Sequence, residues 1–571
     1  MDWLNNILPI ERFADIFSLE IGFGEKLVFT EFNFWLFFIL VLVVFSFLHK
    51  NKLARSVFLT IVSLYVYFKT SGLFLVVLLI SIIINYFFGR RIYSARSDLR
   101  RKWIIAFSAI FNLLILGYFK YAIFFTESFN EVFHTNYEAV NHFIQYGKAW
   151  GGGDLFAKPA PSLMSQIILP VGVSFFTFQN ISYTVDIYRK EITPVKNFFH
   201  YTFFVSFFPQ LVMGPIVRAR DFIPQINKPF VLTRNDFSWS VIQIVKGLVK
   251  KVVIADFLVV HFINRITEHP EAYPGFVSVL AMWAYSLHIY ADFSGYTDIA
   301  IGLSRLMGFE LKENFNSPYK AINVADFWRR WHKSLGSWLR DYLYIPLGGN
   351  RGGTIGSYIA ILLIFIFLIF ITGWYDLLYV YAGLTVLYVI GIFVFKDFKR
   401  YVHRDLNLLI TMVIGGLWHG ASENFVIWGA MNGCALIIYK YWKHISPYEN
   451  KSNFFVHFWK IFITFNFITF TRIWFKLEAD GLPNIMLDQI WNHFNFTWDT
   501  FVTVLSTYQA VFWVMLGGFI IHWLPDKVKK TYEGWFTRMP LPLQAISVAV
   551  IIFLMYQAIS GDAPPFVYLM F

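Results

Sequence analysis

Gly72-Leu-Phe-Leu-Val-Val-Leu-Leu-Ile-Ser-Ile-Ile-Ile-Asn-Tyr-Phe-Phe-Gly89 is followed at once by Arg90 and Arg91, then by Arg96, Arg100, Arg101 and Lys102, with only Asp98 opposing them. An apolar run of this length that ends in a cluster of cations reads as a membrane-spanning helix whose basic end stays in the cytoplasm. The same arrangement recurs along the chain. Apolar segments are expected at roughly 28–48, 57–69, 72–89, 103–126, 164–184, 200–215, 240–264, 275–291, 293–307, 355–373, 375–396, 406–420, 424–442, 456–475, 508–524 and 541–559. Several are short or carry charge, which leaves about 11 to 14 crossings.

Composition agrees: 57% of the 571 residues are hydrophobic, 21% aromatic and 15% charged, with mean hydropathy +0.53. Soluble domains sit nearer 45–50% apolar and about 25% charged, so a soluble cytoplasmic enzyme is excluded. The expectation is an all-α polytopic membrane protein, with one embedded domain over 1–571, amino-terminal helices over 28–126 and carboxy-terminal helices over about 456–559. The net charge of +12 comes from 48 Lys and Arg scattered between apolar segments, which argues for a membrane surface and against nucleic acid. The one cysteine, Cys434, rules out an intrachain disulfide and any Cys-rich metal site; in its Gly-Cys-Ala context it is expected to pack inside. The start, MDWLNNILPIERFADIF, lacks a basic region followed by an apolar stretch and a small-residue cleavage site, so the first span is expected to be retained.

Lys50, Lys52 and Arg55 after the first span, and the Arg90–Lys102 cluster after the third, face one side if 57–89 is a hairpin turning at Lys69–Gly72. This places the amino terminus and the 127–163 loop, with its Trp150-Gly-Gly-Gly-Asp154, outside the cell. Lys396, Lys399, Arg400 and Arg404 mark a later inside loop.

Ionisable residues inside apolar segments are expensive and usually functional. The run Tyr285–Asp298 carries His288, Asp292 and Asp298. The two carboxylates are six residues apart, about 240° around a helix, so a paired-carboxylate hydrolase is disfavoured. They either hydrogen-bond neighbouring helices or Arg305, or serve the site. Next, Ala325–Tyr344 reads as an amphipathic helix in an interface or groove. Arg329, Arg340, Lys333 and Arg330 fall at about 0°, 20°, 40° and 100°, opposite an aromatic face that includes Trp331, Trp328 and Trp338. His332 falls near 300°, half-buried, as an interfacial or a catalytic histidine. The following Ile345-Pro-Leu-Gly-Gly-Asn-Arg-Gly-Gly353 forms a turn-rich loop.

In Gly415-Gly-Leu-Trp-His-Gly420 the glycines suggest a helix that breaks at membrane depth, where irregular backbone must line a cavity. His419 is therefore the better base candidate, a neutral imidazole beside Trp418, unless it only satisfies a free carbonyl at the break. A nucleophile elbow, a Walker loop, HExxH and GxGxxG are all absent from the sequence.

Taken together, Leu169–Gln179, Asp186-Ile-Tyr-Arg189, Phe204–Arg218, Asp292–Gly302, Glu313–Tyr319, Asp326-Phe-Trp-Arg-Arg-Trp-His332, Leu339–Arg351 and Gly415–Gly420 resemble the membrane-bound O-acyltransferase family, and most closely its bacterial branch containing the alginate O-acetylation membrane subunit. The resemblance covers about 165–440. It implies a ring of helices around a central tunnel where two funnels meet near His332 and His419, with His419 the principal catalytic residue and His332 its companion. Trp418, Trp331, Asp292, Asp298, Arg330, Asp341 and Asn350 are the implied supporting residues, and Arg329, Lys333 and Arg340 would receive the donor's phosphates. Backbone N–H groups near Gly415, Gly416 and Gly420 could hold an oxyanion. His288 departs from the expected pattern, and the 127–163 loop and the region after about 480 look lineage-specific.

The resemblance implies an inner-membrane O-acyltransferase that binds no cofactor or metal. It would take an acyl group, acetyl first, from acetyl-CoA or an acyl carrier protein thioester in the cytoplasm. The group would pass to a periplasmic or extracellular acyltransferase partner that O-acylates a polysaccharide. The alternatives are D-alanyl transfer to teichoic acid from a carrier protein and, from a different class, a proton-coupled transporter using Asp292, Asp298 and the histidines.

Overall fold

The computed structural model describes residues 29–140, 142–143, 170–479, 481–559 and 566–567; the amino-terminal stretch, the Trp150–Asp154 loop and the first part of the 164–184 segment lie outside them. Every regular element among the described residues is helical. In chain order the longer helices are α1 (Phe32–Leu48), α2 (Lys52–Ser71), α3 (Leu75–Ser94), α4 (Asp98–Leu116), α5 (Ala122–Phe133), α6 (Val173–Tyr188), α7 (Arg234–Val249), α8 (Gly275–Leu306), the short α9 (Val324–Arg330) and α10 (Lys333–Leu339), α11 (Ile355–Thr372), α12 (Leu377–Val394), α13 (Phe398–His419), α14 (Glu423–Ile445), α15 (Phe454–Lys476), α16 (Gln509–Trp523), α17 (Asp526–Arg538) and α18 (Leu541–Tyr556).

The chain is a multi-pass membrane protein. Among the described residues, five helical stretches, Lys52–Ser94, Asp98–Phe133, Gly275–Leu306, Leu377–Val394 and Phe454–Lys476, are long and apolar enough to cross a bilayer, and Trp498–Thr507 with Gln509–Trp523, bent by 86°, makes a sixth if counted as one. Phe32–Leu48, Ile355–Ile369 and Leu541–Tyr556 are shorter apolar helices. The expected span at 200–215 is instead two short helices, Phe198–Ser206 and Phe208–Leu211, with the chain turning at Phe207 (φ −51°, ψ 108°), because Pro209 has no N–H to continue the first helix and is tolerated only in the first turn of the second. The segments expected at 275–291 and 293–307 form one helix, α8, about 48 Å long at 1.5 Å per residue.

Helix α8 is buried along most of its length and lies against α7. Their axes approach closely at Gly247 and Gly295: a β-carbon on either would stand 2.5 or 2.8 Å from the other's carbonyl oxygen. The charges inside this pair are matched locally. Lys251 Nζ lies 2.8 Å from both Asp256 and Asp292, and Lys250 Nζ lies 2.6 Å from Asp298. Asp292 and Asp298 thus have separate lysine partners on a neighbouring element, while Arg305 bonds Asp236 and Glu310. His288 Nδ1 sits 2.9 Å from the Ala255 carbonyl.

Helices α13 and α14 form the other tight pair. A β-carbon on Gly416 would lie 2.2 Å from the Phe425 carbonyl oxygen, so this glycine permits close helix approach inside an unbroken helix. The break expected within Gly415–Gly420 falls immediately after His419, at the extended Gly420 (φ −159°, ψ 156°), and the amides of Gly415 and Gly416 stay helical. Cys434, expected inside, is on the outer surface of α14.

Candidate active site

The segment expected as one amphipathic helix is bent in two. Asn314 and Asn316 on the preceding loop decide where: the Asn316 N–H donates to the Arg330 carbonyl and the Lys333 N–H to the Asn314 carbonyl, both at 2.9 Å. Between these two anchors Trp331 is extended and His332 adopts a left-handed conformation (φ 46°, ψ 54°), which most residues with a β-carbon avoid. The bend carries the chain between two apolar clusters. Trp331 belongs to the cluster that includes Phe425, Trp428 and Phe475, whereas Leu335 and Trp338 belong to the one that includes Trp418 and Phe178.

His332 is thereby placed at the seam, only 1% exposed instead of half-buried. Its ring meets Phe293 edge-on (4.7 Å between centroids) and Trp418 (5.9 Å). Asn314 Oδ1 accepts from the Ser334 N–H and Oγ at 3.1 and 2.9 Å, which fixes that oxygen as an acceptor. His332 Nδ1, 3.2 Å from the same oxygen, pairs with it as the N–H donor, and the 3.4 Å approach of Leu335 N to Nδ1 is the weaker contact. This tautomer leaves Nε2 as the basic nitrogen. His332 lies outside the spanning helices, and burial pushes its pKa down to about 3, so it is neutral at physiological pH.

His419 reaches the same seam from the end of α13. Its ring contacts Trp418 (5.0 Å), Trp428 (5.2 Å) and Phe475 (5.2 Å), all near-perpendicular. Trp418 thus touches both histidines, and is itself held against Phe178 and Phe175. Phe178 stacks in turn on Trp338 at 3.7 Å. The exposed carbonyls at the end of α13 are capped from a π-helical turn, Gly117–Tyr121: Tyr121 OH donates to Leu417 O at 2.6 Å, and Lys120 Nζ to Trp418 O and His419 O at 2.5 and 3.0 Å. A cation at a helix carboxy terminus also complements the helix dipole.

Two narrow cavities share His419 as a wall. One is lined by Trp328, Trp331, Trp428, Asn432, Arg472 and Phe475, the other by Lys120, Ser174, Phe175, Val212 and Trp418. An imidazole with a cavity on either hand can take a proton from a group in one and deliver it to a group in the other.

Other expected site residues are placed differently. Arg329 and Arg330 both turn onto Asp326 (3.6 and 3.0 Å), Lys333 lies 4.0 Å from Glu313, and Arg340 bonds Asp341 at 2.7 Å. The bend at 331–332 separates them, so the single cationic face does not form. Asp341 also receives Arg218 at 2.6 Å, and Arg218 and Arg189 both lie over the Tyr342 ring. Burial alone would raise the Asp341 carboxyl, but the bonds from Arg340 and Arg218 outweigh it and hold it below the usual range. Asn350 is exposed and accepts from Tyr344 OH, at 2.9 Å. Asp292 and Asp298 pair with Lys251 and Lys250, on the turn that follows α7, and line neither cavity. Among the described residues no three His, Cys, Asp or Glu side chains group as metal ligands. Sequence reasoning overlooked Lys120 and Arg472, although each is a cation inside an apolar segment and so carries the signal of an intramembrane charge.

Fold and seam together define a multi-pass membrane protein with two enclosed histidines around one tryptophan. The model of the membrane-bound O-acyltransferase family matches residues 188–395, which include His332 and end before His419. The peptidoglycan O-acetyltransferase of Helicobacter pylori is 31% identical over 461 residues, 75% of this chain and 72% of that protein. The probable alginate O-acetylase AlgI of Pseudomonas aeruginosa is 35% identical over 359 residues, 62% of this chain and 55% of its own, so the chain spans about half the length of that relative. The teichoic acid D-alanyltransferase of Bacillus subtilis is 25% identical over 311 residues, 52% of this chain and 67% of that protein. The chain belongs to the membrane-bound O-acyltransferase family.

Proposed function

We propose that this protein is an O-acyltransferase that moves an acetyl group from a cytoplasmic thioester, acetyl-CoA or an acylated carrier protein, toward O-acylation of a cell-surface or exported polysaccharide. The observation that carries the reading is the position of His419, buried in the wall common to two cavities and sharing Trp418 with His332. His419 acts as general base on the incoming hydroxyl and returns the proton to the leaving thiol. His332, through Nε2, orients or relays that proton. Aromatic walls keep water away from the thioester, which limits hydrolysis. The basic loops after α1 and α3 lie in the cytoplasm of a bacterial inner membrane, and an external acyltransferase partner completes the transfer.

The peptidoglycan and alginate relatives support acetyl as the group carried. D-Alanyl transfer is the second reading, favoured by the teichoic acid relative. Mild-base release of esters from the surface glycans of a deletion strain, followed by mass spectrometry, separates them. Loss of acetate supports the first reading, loss of D-alanine the second, and an unchanged ester profile contradicts both.

A further inference from the structure

Arg472 lies in α15, one of the helices apolar enough to span, and is 3% exposed. A guanidinium so buried is ordinarily paired with a carboxylate. Several other interior cations follow that rule or find carbonyls: Lys250, Lys251 and Arg218 meet carboxylates, and Arg55 Nη2 donates to the Ile226 and Lys228 carbonyls. Arg472 has no carboxylate within ion-pair distance among the described residues. Its Nη1 donates to Tyr319 OH at 2.6 Å and more distantly to Ser286 O at 3.5 Å, and Tyr319 OH itself donates to Ser286 O. Nε and Nη2 make no hydrogen bond among the described residues, and the side chain lines the cavity that His419 also lines.

The charge is held in place with care. The guanidinium carbon lies 5.3, 5.9 and 4.8 Å from the ring centroids of Tyr319, Phe327 and Trp331. These rings stabilise the cation by their quadrupoles and fix its plane, yet take none of its remaining N–H donors. A fixed positive charge in a narrow cavity that an imidazole base also lines suits a site where negative charge develops on an oxygen during reaction.

We propose that Arg472 is the oxyanion-binding group of this site, its Nε–H and Nη2–H receiving the carbonyl oxygen of the acyl thioester in the cavity walled by His419. The proposal rests on the acyltransferase reading above. The hydroxyl oxygen of the acceptor attacks the carbonyl carbon while its proton passes to His419. The carbonyl π pair moves onto the oxygen held by Arg472. That pair then re-forms C=O, the C–S bond breaks with its electrons on sulfur, and His419 returns the proton to give the free thiol. Glycine amides of α13 are not needed for this, and being helical they are unavailable.

The probe is S-acetyl-4′-phosphopantetheine, the arm common to coenzyme A and carrier proteins, with a ¹³C carbonyl. It is bound to the purified full chain carrying His419→Gln to block turnover, and the thioester carbonyl stretch is read by difference infrared spectroscopy. The stretch is expected to fall on binding and to return to its solution position when Arg472→Gln is added, with Arg472→Lys between. In the chain that retains His419, Arg472→Gln is expected to lower the rate of surface acylation by about 10²–10³-fold. A carbonyl stretch that ignores Arg472, or an Arg472→Gln protein that acylates at the unmodified rate, overturns the assignment. A merely structural role for Arg472 would leave the stretch of bound probe unmoved. If the chain does not bind the probe at all, the thioester reading fails first and this proposal with it.

Discussion

Lys120→Met isolates what holds His419 in place. Methionine keeps the length and apolar stem of lysine and removes only the ammonium, which donates to Trp418 O at 2.5 Å and His419 O at 3.0 Å and lies 5.9 Å from the Trp418 ring centroid. Hydrogen bonds to a charged donor contribute about 1.5–3 kcal/mol each, so about 3–6 kcal/mol is lost before compensation. Part returns because the variant no longer desolvates an ion, a burden of several kcal/mol for a fully buried charge and less for this half-buried one. A net loss of about 2 kcal/mol is expected, confined to the end of α13, since Tyr121 OH still holds Leu417 O at 2.6 Å. That is roughly a 30-fold rise in the fraction of molecules with this end displaced. Hydrogen–deuterium exchange of a peptide containing Trp418, His419 and Phe425 should accelerate accordingly, while peptides from α7 and α8 do not change, and acyl transfer should fall with it. Unchanged exchange around His419 together with unchanged transfer would refute the reasoning.

Lys251→Met should be far more damaging than a surface change. It strands Asp256 and Asp292 without the cation both now share, at about 3–5 kcal/mol, and thermal unfolding in detergent should show this, with Asp292→Asn in the same chain recovering part of the loss. Titration of His332 has a definite sign. Its pKa is pushed from 6.5 to about 3 by burial, so below pH 6.5 the unfolded chain takes a proton that the folded chain refuses. Its contribution is complete above about pH 6.5 and declines by up to about 1.4 kcal/mol per pH unit as pH falls from 6.5 toward 3. His332→Asn should therefore unfold with a shallower pH dependence between 7 and 5 than the unaltered protein, and equal slopes would contradict the placement.

The membrane fold was legible because a bilayer imposes a simple rule: runs such as 72–89 need apolar residues and their flanks need charge. His419 was legible for a related reason, as a polar group in a segment that otherwise excludes them, whereas His332 sits in a charged amphipathic stretch and stood out through the Arg-Trp-His motif of the family resemblance. The arrangement around them was not. A helical wheel for 325–344 presumes one straight axis, and the backbone bonds from Asn314 and Asn316 that bend it come from a loop the wheel does not include. Gly415 and Gly416 look like helix breakers in one dimension, while Gly416 makes room for a neighbouring helix in three. The partners of Asp292 and Asp298 are Lys251 and Lys250, which no spacing within their own segment could reveal. Lys120 reaches the site from nearly 300 positions away in sequence.

The central claim is that the imidazole of His419, between its two cavities, moves the proton in acyl transfer. The direct measurement is the acetate ester content of surface glycans in a deletion strain complemented with His419→Ala, after membrane insertion and protein level are shown to match those of the unaltered chain. The account predicts esters at the level of the deletion strain. Esters restored to the level given by the unaltered chain would contradict it.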